Sequence, residues 1–177
     1  MLWRVSVYIR LANMGDLPQL KEMYRRIVDK MNLEGIQVWD EIYPVDFLGD
    51  DILARCLYIL VDNKKIASAF ALCDSNDGFE YVEWENKYAK ALYIDRLGVN
   101  VNYLRKGIGK QMLDSAILLA KEQSAKYLRL FVVDTNIPAI NLYKKNGFKK
   151  AKGIYHEVID DDLALEQFGF EIEITNL

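Results

Sequence analysis

Tyr103 to Lys110, YLRKGIGK, packs Arg105, Lys106 and Lys110 around Gly107 and Gly109. An apolar run, ALYIDRLGV, comes before it and a segment of helical periodicity, QMLDSAILLAKEQ, comes after it, so the glycines fall where a strand passes into a helix. A helix start carries unpaired amide N–H groups at the positive end of the dipole and so favours an anion. Glycines there keep side chains away from a phosphate, and the neighbouring cations add charge. The eight residues suit a pyrophosphate cradle, and they equally suit a glycine-assisted turn with solvated cations. Two common nucleotide fingerprints fail: the third glycine of G-x-G-x-x-G is replaced by Met112, and no G-x-x-x-x-G-K-[ST] occurs. His156 is the only histidine, which excludes a histidine-rich metal site and a Ser/His/Asp triad.

The elements that must position this loop can be read along the chain. Ser6 to Leu11 alternates as a first strand. Asp16 is placed to cap a helix with Pro18 in its first turn, Leu17, Leu20, Met23, Tyr24, Ile27 and Met31 on one face, and Gly35 past its end. A short helix over Val45 to Ala54 follows. CLYILVD and KIASAFALC then form a hairpin around Asp62, Asn63 and Lys64. DSNDGFEYVEWENKYAKA reads as a loop with a short strand near Phe79 to Trp84, and ALYIDRLGV as a central strand. Ile108, Met112, Ala116, Leu119 and Ala120 share a face of the next helix, YLRLFVV is the next strand, and a right-handed crossover makes these two strands parallel. Asn136 or Thr135 caps a further helix with Pro138 in its first turn, Lys144 and Lys145 in its last, and Gly147 beyond. An acidic loop, DDDLALEQ, leads to a closing strand, FGFEIEI.

The whole chain of 177 residues, 51% hydrophobic and 28% charged, is of a size and composition for one folded domain. A net charge of -3 gives no overall attraction for nucleic acid or a membrane surface, and neither is expected as a partner. Cys56 and Cys73 lie in separate apolar runs and read as reduced thiols. The amino-terminal alternation lacks the apolar region and cleavage site of a signal peptide, and no run approaches a membrane span, so a cytoplasmic location is expected.

The loop LRKGIG resembles the [RQ]-x-x-G-x-[GA] motif of the GCN5-related N-acetyltransferase (GNAT) superfamily, which binds the pyrophosphate of acetyl-coenzyme A. Asn136 to Phe148, NIPAINLYKKNGF, resembles the second family motif, N-x-x-A-x-x-[LF]-Y-x-x-x-G-F, at the expected distance. Leu104 is a departure: the family usually has Arg or Gln there, although Arg105 follows at once. The backbone cradle is kept, while one side-chain phosphate contact loses its support.

The resemblance implies one N-acetyltransferase-like domain over residues 5–174, with a mixed, twisted sheet of six to seven strands flanked by about four helices, α/β in the α+β sense. It implies acetyl-coenzyme A as cosubstrate, with no metal, and a primary amine of a small molecule or peptide as acceptor, the protein being a monomer or homodimer. The pantetheine arm would lie along Leu97, Gly98 and Val99, and an N–H near Val99 would polarise the thioester carbonyl. The pyrophosphate would rest on Leu104, Arg105, Lys106, Gly107, Ile108, Gly109 and Lys110. Asn136 would bond the pantetheine or the helix start, and Tyr143 would protonate the departing thiolate. Asp95 and Glu83 are the candidates for general base, and alternation puts Asp95 and Arg96 on opposite faces of their strand. Trp39, Tyr43, Tyr81 and Trp84 would bound the acceptor pocket, with Glu80, Glu83 and Glu85 attracting a cationic amine. A module that binds the coenzyme without turnover is the alternative.

Overall fold

The computed structural model describes residues 7–159 and 163–174. Ser6 and the acidic residues 160–162 named above lie outside that range. Strand β1, Val7–Leu11, pairs antiparallel with β2, Leu57–Asp62, from Val7↔Asp62 to Leu11↔Tyr58. Strand β3, Lys65–Cys73, pairs back on β2. Their turn places Asn63 at φ 47° and Lys64 at φ 68°. Two left-handed residues in a two-residue hairpin match the right-handed twist of the flanking strands.

Helix α1, Leu17–Leu33, buries Leu20, Met23, Tyr24, Ile27 and Val28, and Gly35 beyond it takes φ 75°. Asp16 does not act as its side-chain cap. Instead Asn13 and Asp16 close a capping box around the 3-10 turn Met14–Asp16, and the Asp16 carboxylate accepts from Arg10 at 2.7 and 2.8 Å. A guanidinium pairing with both carboxylate oxygens outcompetes an exposed helix amide for them. The expected second helix is a 3-10 turn, Val45–Phe47, running into α2, Leu48–Leu53.

The ribbon strand β4, Val82–Glu83, precedes the long strand β5, Ala91–Val99. Then come α3, Ile108–Glu122, with Met112, Leu113, Ala116 and Ala120 buried, and β6, Tyr127–Val133. The β5–β6 ladder is parallel, from Ala91↔Tyr127 to Ile94↔Leu130. Asn136 accepts from the Ala139 amide at 3.3 Å and caps α4, Ile137–Lys145, which ends before Gly147 at φ 87°. Short strands β7, Lys149–Lys150, β8, Lys152–Gly153, and β9, Tyr155–Val158, lead to β10, Ala164–Glu173, which pairs antiparallel with β6, β7 and β9.

Hydrogen-bonded neighbours in the main, eight-stranded sheet follow the order β1-β2-β3-β5-β6-β10-β7, with β9 on β10, while β4 and β8 form a ribbon of their own. This mixed sheet with its four helices is the expected fold class, with a further strand. The chain groups into two compact units, one running to Ala71 and including Arg96–Met112, the other comprising Leu72–Asp95 and the chain from Leu113. In the first, Tyr24, Leu20, Leu48, Leu57, Ile59, Leu60 and Phe70 are fully buried. In the second, Val82, Trp84, Tyr93 and Ala151 form a cluster, and Phe170 is also buried. Each large apolar side chain so removed from water contributes about 1.5–3 kcal/mol before its entropy cost. Both cysteines are outside any disulfide and only half-buried.

Candidate active site

In the first unit, Gly98 lies directly under α1: a Cβ there would sit 2.9 Å from Tyr24 Cε1 and 3.0 Å from Ile27 Cδ1. Its carbonyl accepts from the buried Ser68 hydroxyl at 2.6 Å, and the next amide, Asn100, donates to Ala67 O at 2.9 Å. Successive strand amides point to opposite edges, so the Leu97 and Val99 N–H groups face the edge away from β3. Amides on that edge suit a ligand arm that pairs with a strand as a peptide does.

Asn100 then organises the approach to the glycines. Its amide nitrogen donates to Ile66 O at 2.9 Å and its side-chain oxygen accepts from the Asn102 amide at 3.0 Å. The Tyr103 amide donates to Asn100 O at 2.8 Å, and its hydroxyl to Asp62 at 2.9 Å. Lys106 donates to Asn102 O at 3.1 Å and lies 5.1 Å from the Tyr103 ring centre. The loop turns through left-handed residues, Arg105 at φ 60° and Gly107 at φ 76°. A Cβ on Gly107 would meet nothing within 4 Å, so the backbone conformation favours glycine here while its outer side is open. The Gln111 amide closes onto Gly107 O at 3.1 Å, and the amides of Ile108 and Gly109, earlier in the first turn, have no helical carbonyl to reach. Leu104, Arg105, Lys106 and Lys110 are exposed. A diphosphate fits this set of donors: amides at a helix start, a glycine without bulk, and cations around it.

The strand that carries Leu97 and Val99 is irregular. Arg96 has φ 54°, a left-handed conformation that costs a non-glycine residue about 1–2 kcal/mol. Its guanidinium meets both oxygens of Asp51, Nε to Oδ2 and Nη2 to Oδ1, each at 2.6 Å, with only 11% and 9% of the two side chains exposed. Nη1 donates to the Tyr43 hydroxyl at 3.2 Å, and the Tyr43 and Phe47 rings lie 5.7 and 6.0 Å from the guanidinium carbon. The Tyr24 hydroxyl donates to Arg96 O at 2.5 Å. Arg96 thus interrupts the regular strand geometry from which alternation is read. Trp39 continues the aromatic row, 5.7 Å from Tyr24 and 6.4 Å from Tyr43 between ring centres.

In the second unit, Tyr143 on α4 is buried against Phe148 and Phe170, ring centres 6.0 and 6.3 Å away. Burial first, and the charge of Asp95 second, push its phenol well above the usual range, so it keeps its proton throughout the neutral range. The charge of Asp95 thus reaches Tyr143 from a well-separated position in the chain. Asn136 has its side-chain oxygen on its own helix as a cap. Glu83 is exposed on the ribbon, opposite Lys152.

Trp84 packs inward, 7% exposed, its indole donating to Phe79 O at 2.9 Å and its ring 4.5 Å from the Arg129 guanidinium carbon, so it belongs to the core of this unit. Tyr81 stacks on Tyr155 at 4.9 Å, Glu80 pairs with Lys87 at 2.6 Å, and Glu85 is exposed. Sequence reasoning missed Glu157 on β9. This half-buried carboxylate is bonded by Gln167 and pushed above the usual range by desolvation, with Asp95 and Asp77 adding to the shift. Its signal in the sequence is weak, one acid in the alternating stretch YHEV. Among the described residues, no group of three His, Cys, Asp or Glu is placed to hold a metal ion, and no helix is long and apolar enough to cross a membrane.

The model of the acetyltransferase (GNAT) family matches residues 21–148. The thialysine N-epsilon-acetyltransferase of Sus scrofa is 24% identical over 143 residues, covering 80% of this chain and 84% of that one. The spermine/spermidine N(1)-acetyltransferase of Bacillus subtilis is 38% identical over 71 residues, 40% of this chain and 45% of that one. An acetyltransferase from Salmonella typhimurium, solved with its cofactor acetyl-CoA, superposes with a TM-score of 0.67 at 18% identity, covering 97% of this chain and 95% of that one, a likeness of fold. The family match spans well over half of the chain: the protein belongs to the GNAT acetyltransferase family and is an acetyl-coenzyme A-dependent N-acyltransferase.

Proposed function

We propose that the chain acetylates a primary amine of a small cationic acceptor of the polyamine or lysine-like kind, with residues 5–174 working as one catalytic domain. The observation that carries this reading is the Tyr143 phenol buried on α4, within reach of the charge of Asp95. The relatives named for thialysine and for spermine and spermidine support the acceptor class.

In this scheme Gly107, Ile108 and Gly109 offer amides to the pyrophosphate, with Arg105, Lys106 and Lys110 adding charge, and Leu97 and Val99 pair with the pantetheine. The Val99 N–H stabilises the oxygen of the thioester as the amine nitrogen bonds to its carbon. An alkylammonium with a pKa near 10.4 needs about 4.6 kcal/mol to give up its proton at pH 7. Asp95 accepts that proton, directly or through a water, and its negative charge also attracts the cation. The C–S bond breaks as the sulfur leaves with a proton from Tyr143, and the tetrahedral nitrogen gives up its second proton, which restores the phenol directly or through water. A thiolate with a pKa near 8.5 is already a fair leaving group, so Tyr143 assists more than it enables.

The test is thiol release from acetyl-coenzyme A with spermidine, thialysine and a free N-terminal peptide. Release is expected with the first two. Tyr143→Phe should lower kcat about 10- to 100-fold and leave the coenzyme dissociation constant unchanged. A tight coenzyme complex with no thiol release across the panel overturns the transferase reading in favour of a coenzyme-binding module.

A further inference from the structure

Tyr103 stands two residues before the left-handed Arg105, and the scheme above gives it no work. It ends the 3-10 turn Val101–Tyr103, whose start Asn100 secures against β3 through Ile66 O and Ala67 O. The end of the turn reaches back to the sheet through the Tyr103 hydroxyl, which donates to Asp62 Oδ2 at 2.9 Å across 41 positions of sequence. Asp62 is a firm partner, since it closes β2 paired with Val7 on one side and Lys65 on the other. The face of the Tyr103 ring carries the Lys106 ammonium, 5.1 Å from its centre, and one N–H of that ammonium goes to Asn102 O, which leaves two for a ligand. One tyrosine thus joins an anchor in the sheet to a cation of the loop. We propose that Asp62 and Tyr103 are positioning residues for the coenzyme's diphosphate: their bond fixes the end of the 3-10 turn, and through it Lys106 and the amides that follow Gly107. The inference rests on the place that the scheme above gives the diphosphate in that reading.

An acid is an unexpected neighbour for cations that meet an anion. Its charge opposes a bound diphosphate, so attraction for the ligand does not account for it. Nor does stability account for it alone, because among the described residues its second oxygen, Oδ1, is buried without a hydrogen-bond partner, and an unmet buried oxygen is unfavourable. A carboxylate does accept a phenolic hydrogen about twice as strongly as a neutral oxygen does. Position is what that strength supplies. Donors act on a phosphate only at hydrogen-bond range, and a displacement of about 1 Å in a binding group can cost on the order of a hundredfold.

Tyr103→Phe keeps the ring under Lys106 and removes only the bond to Asp62. Titration with acetyl-coenzyme A should show its dissociation constant rising about tenfold, as the loss of one bond to a charged group predicts. Asp62→Ala, which removes the acceptor and leaves Tyr103 whole, should weaken binding to the same degree. Asp62→Asn keeps an acceptor for the hydroxyl and takes away the opposing charge, so its constant should stay within about twofold of the wild type. In the coenzyme-free Tyr103→Phe protein the amide of residue 103 should exchange faster with deuterium. With S-acetylpantetheine, which has no diphosphate, and spermidine as acceptor, kcat/KM should match the wild type in every variant, which a general loosening of the fold would not allow. An unchanged dissociation constant in Tyr103→Phe, one raised as much by Asp62→Asn, or an equal loss with S-acetylpantetheine overturns the proposal. A wild type that binds acetyl-coenzyme A but releases no thiol sinks the transferase reading, and dissociation constants that still separate Tyr103→Phe from Asp62→Asn then support the positioning role.

Discussion

Two arginines on adjacent strands, Arg96 on β5 and Arg129 on β6, each reach a buried carboxylate, yet the surroundings give them different work. Arg129 is 1% exposed on a regular strand. It meets Glu171 at 3.1 Å, Asn86 O at 2.8 Å and the faces of Trp84, Tyr127 and Phe79. Glu171 in turn accepts from the Glu85 amide at 2.6 Å, so this pair ties the segment after β4 to the sheet. Arg96 carries its pair with Asp51 on a residue at φ 54°. A buried ion pair gives little net stability because desolvation offsets its attraction, whereas removing one partner leaves an uncompensated buried charge.

The comparison breaks most sharply at Glu171→Ala, which leaves Arg129 buried without a counter-charge and should cost about 3–5 kcal/mol in urea unfolding. Activity per folded molecule should hold. Replacing both partners, Arg129→Met with Glu171→Leu, should recover most of that loss, and a double variant as unstable as the single one would show that the pair does more than avoid a lone charge. Next in size is the half-exposed pair, Arg10 with Asp16. The Arg10 hydrogen bond holds the Asp16 carboxyl below its usual range. A depressed carboxylate stabilises the fold above its unfolded pKa, and that stability is lost as pH falls through its folded pKa. Asp16→Asn should therefore cost about 1 kcal/mol at pH 7, with the gap from the wild type closing toward pH 3.

Glu157 gives the smallest effect and the opposite sign. Desolvation raises its pKa, so ionisation opposes folding, and its contribution is best at low pH and lost as pH rises through the folded value. Glu157→Gln should raise the melting temperature slightly at pH 7 and leave it unmoved at pH 4. A loss at pH 7 would mean that the bond from Gln167 outweighs the desolvation.

What the sequence made legible was local. Asn136, Pro138 and Gly147 each punctuate α4 by rules that act within a turn or two, and the glycines at 107 and 109 mark a strand-to-helix junction on the same scale. The partner of Arg96 was not legible, because Asp51 is 45 positions away and reads as one acid among several on a short helix. Nor was the left-handed residue, since nothing in YIDRLGV departs from an ordinary alternating strand. Trp84 was misplaced for a related reason: an indole beside acids looks like a pocket wall until Phe79 O and Arg129 are found beneath it. Asp16 was assigned to the nearest helix when a guanidinium six residues back had the better geometry.

The missing side chain at Gly98 makes β5 and α1 near neighbours with no filler between them. A helix seated that closely acts as a backstop to the strand, and the bulk of Tyr24 and Ile27 gauges how far the Val99 amide stands forward. On the proposed scheme, coenzyme affinity is then adjustable from behind, by resizing Tyr24 and Ile27.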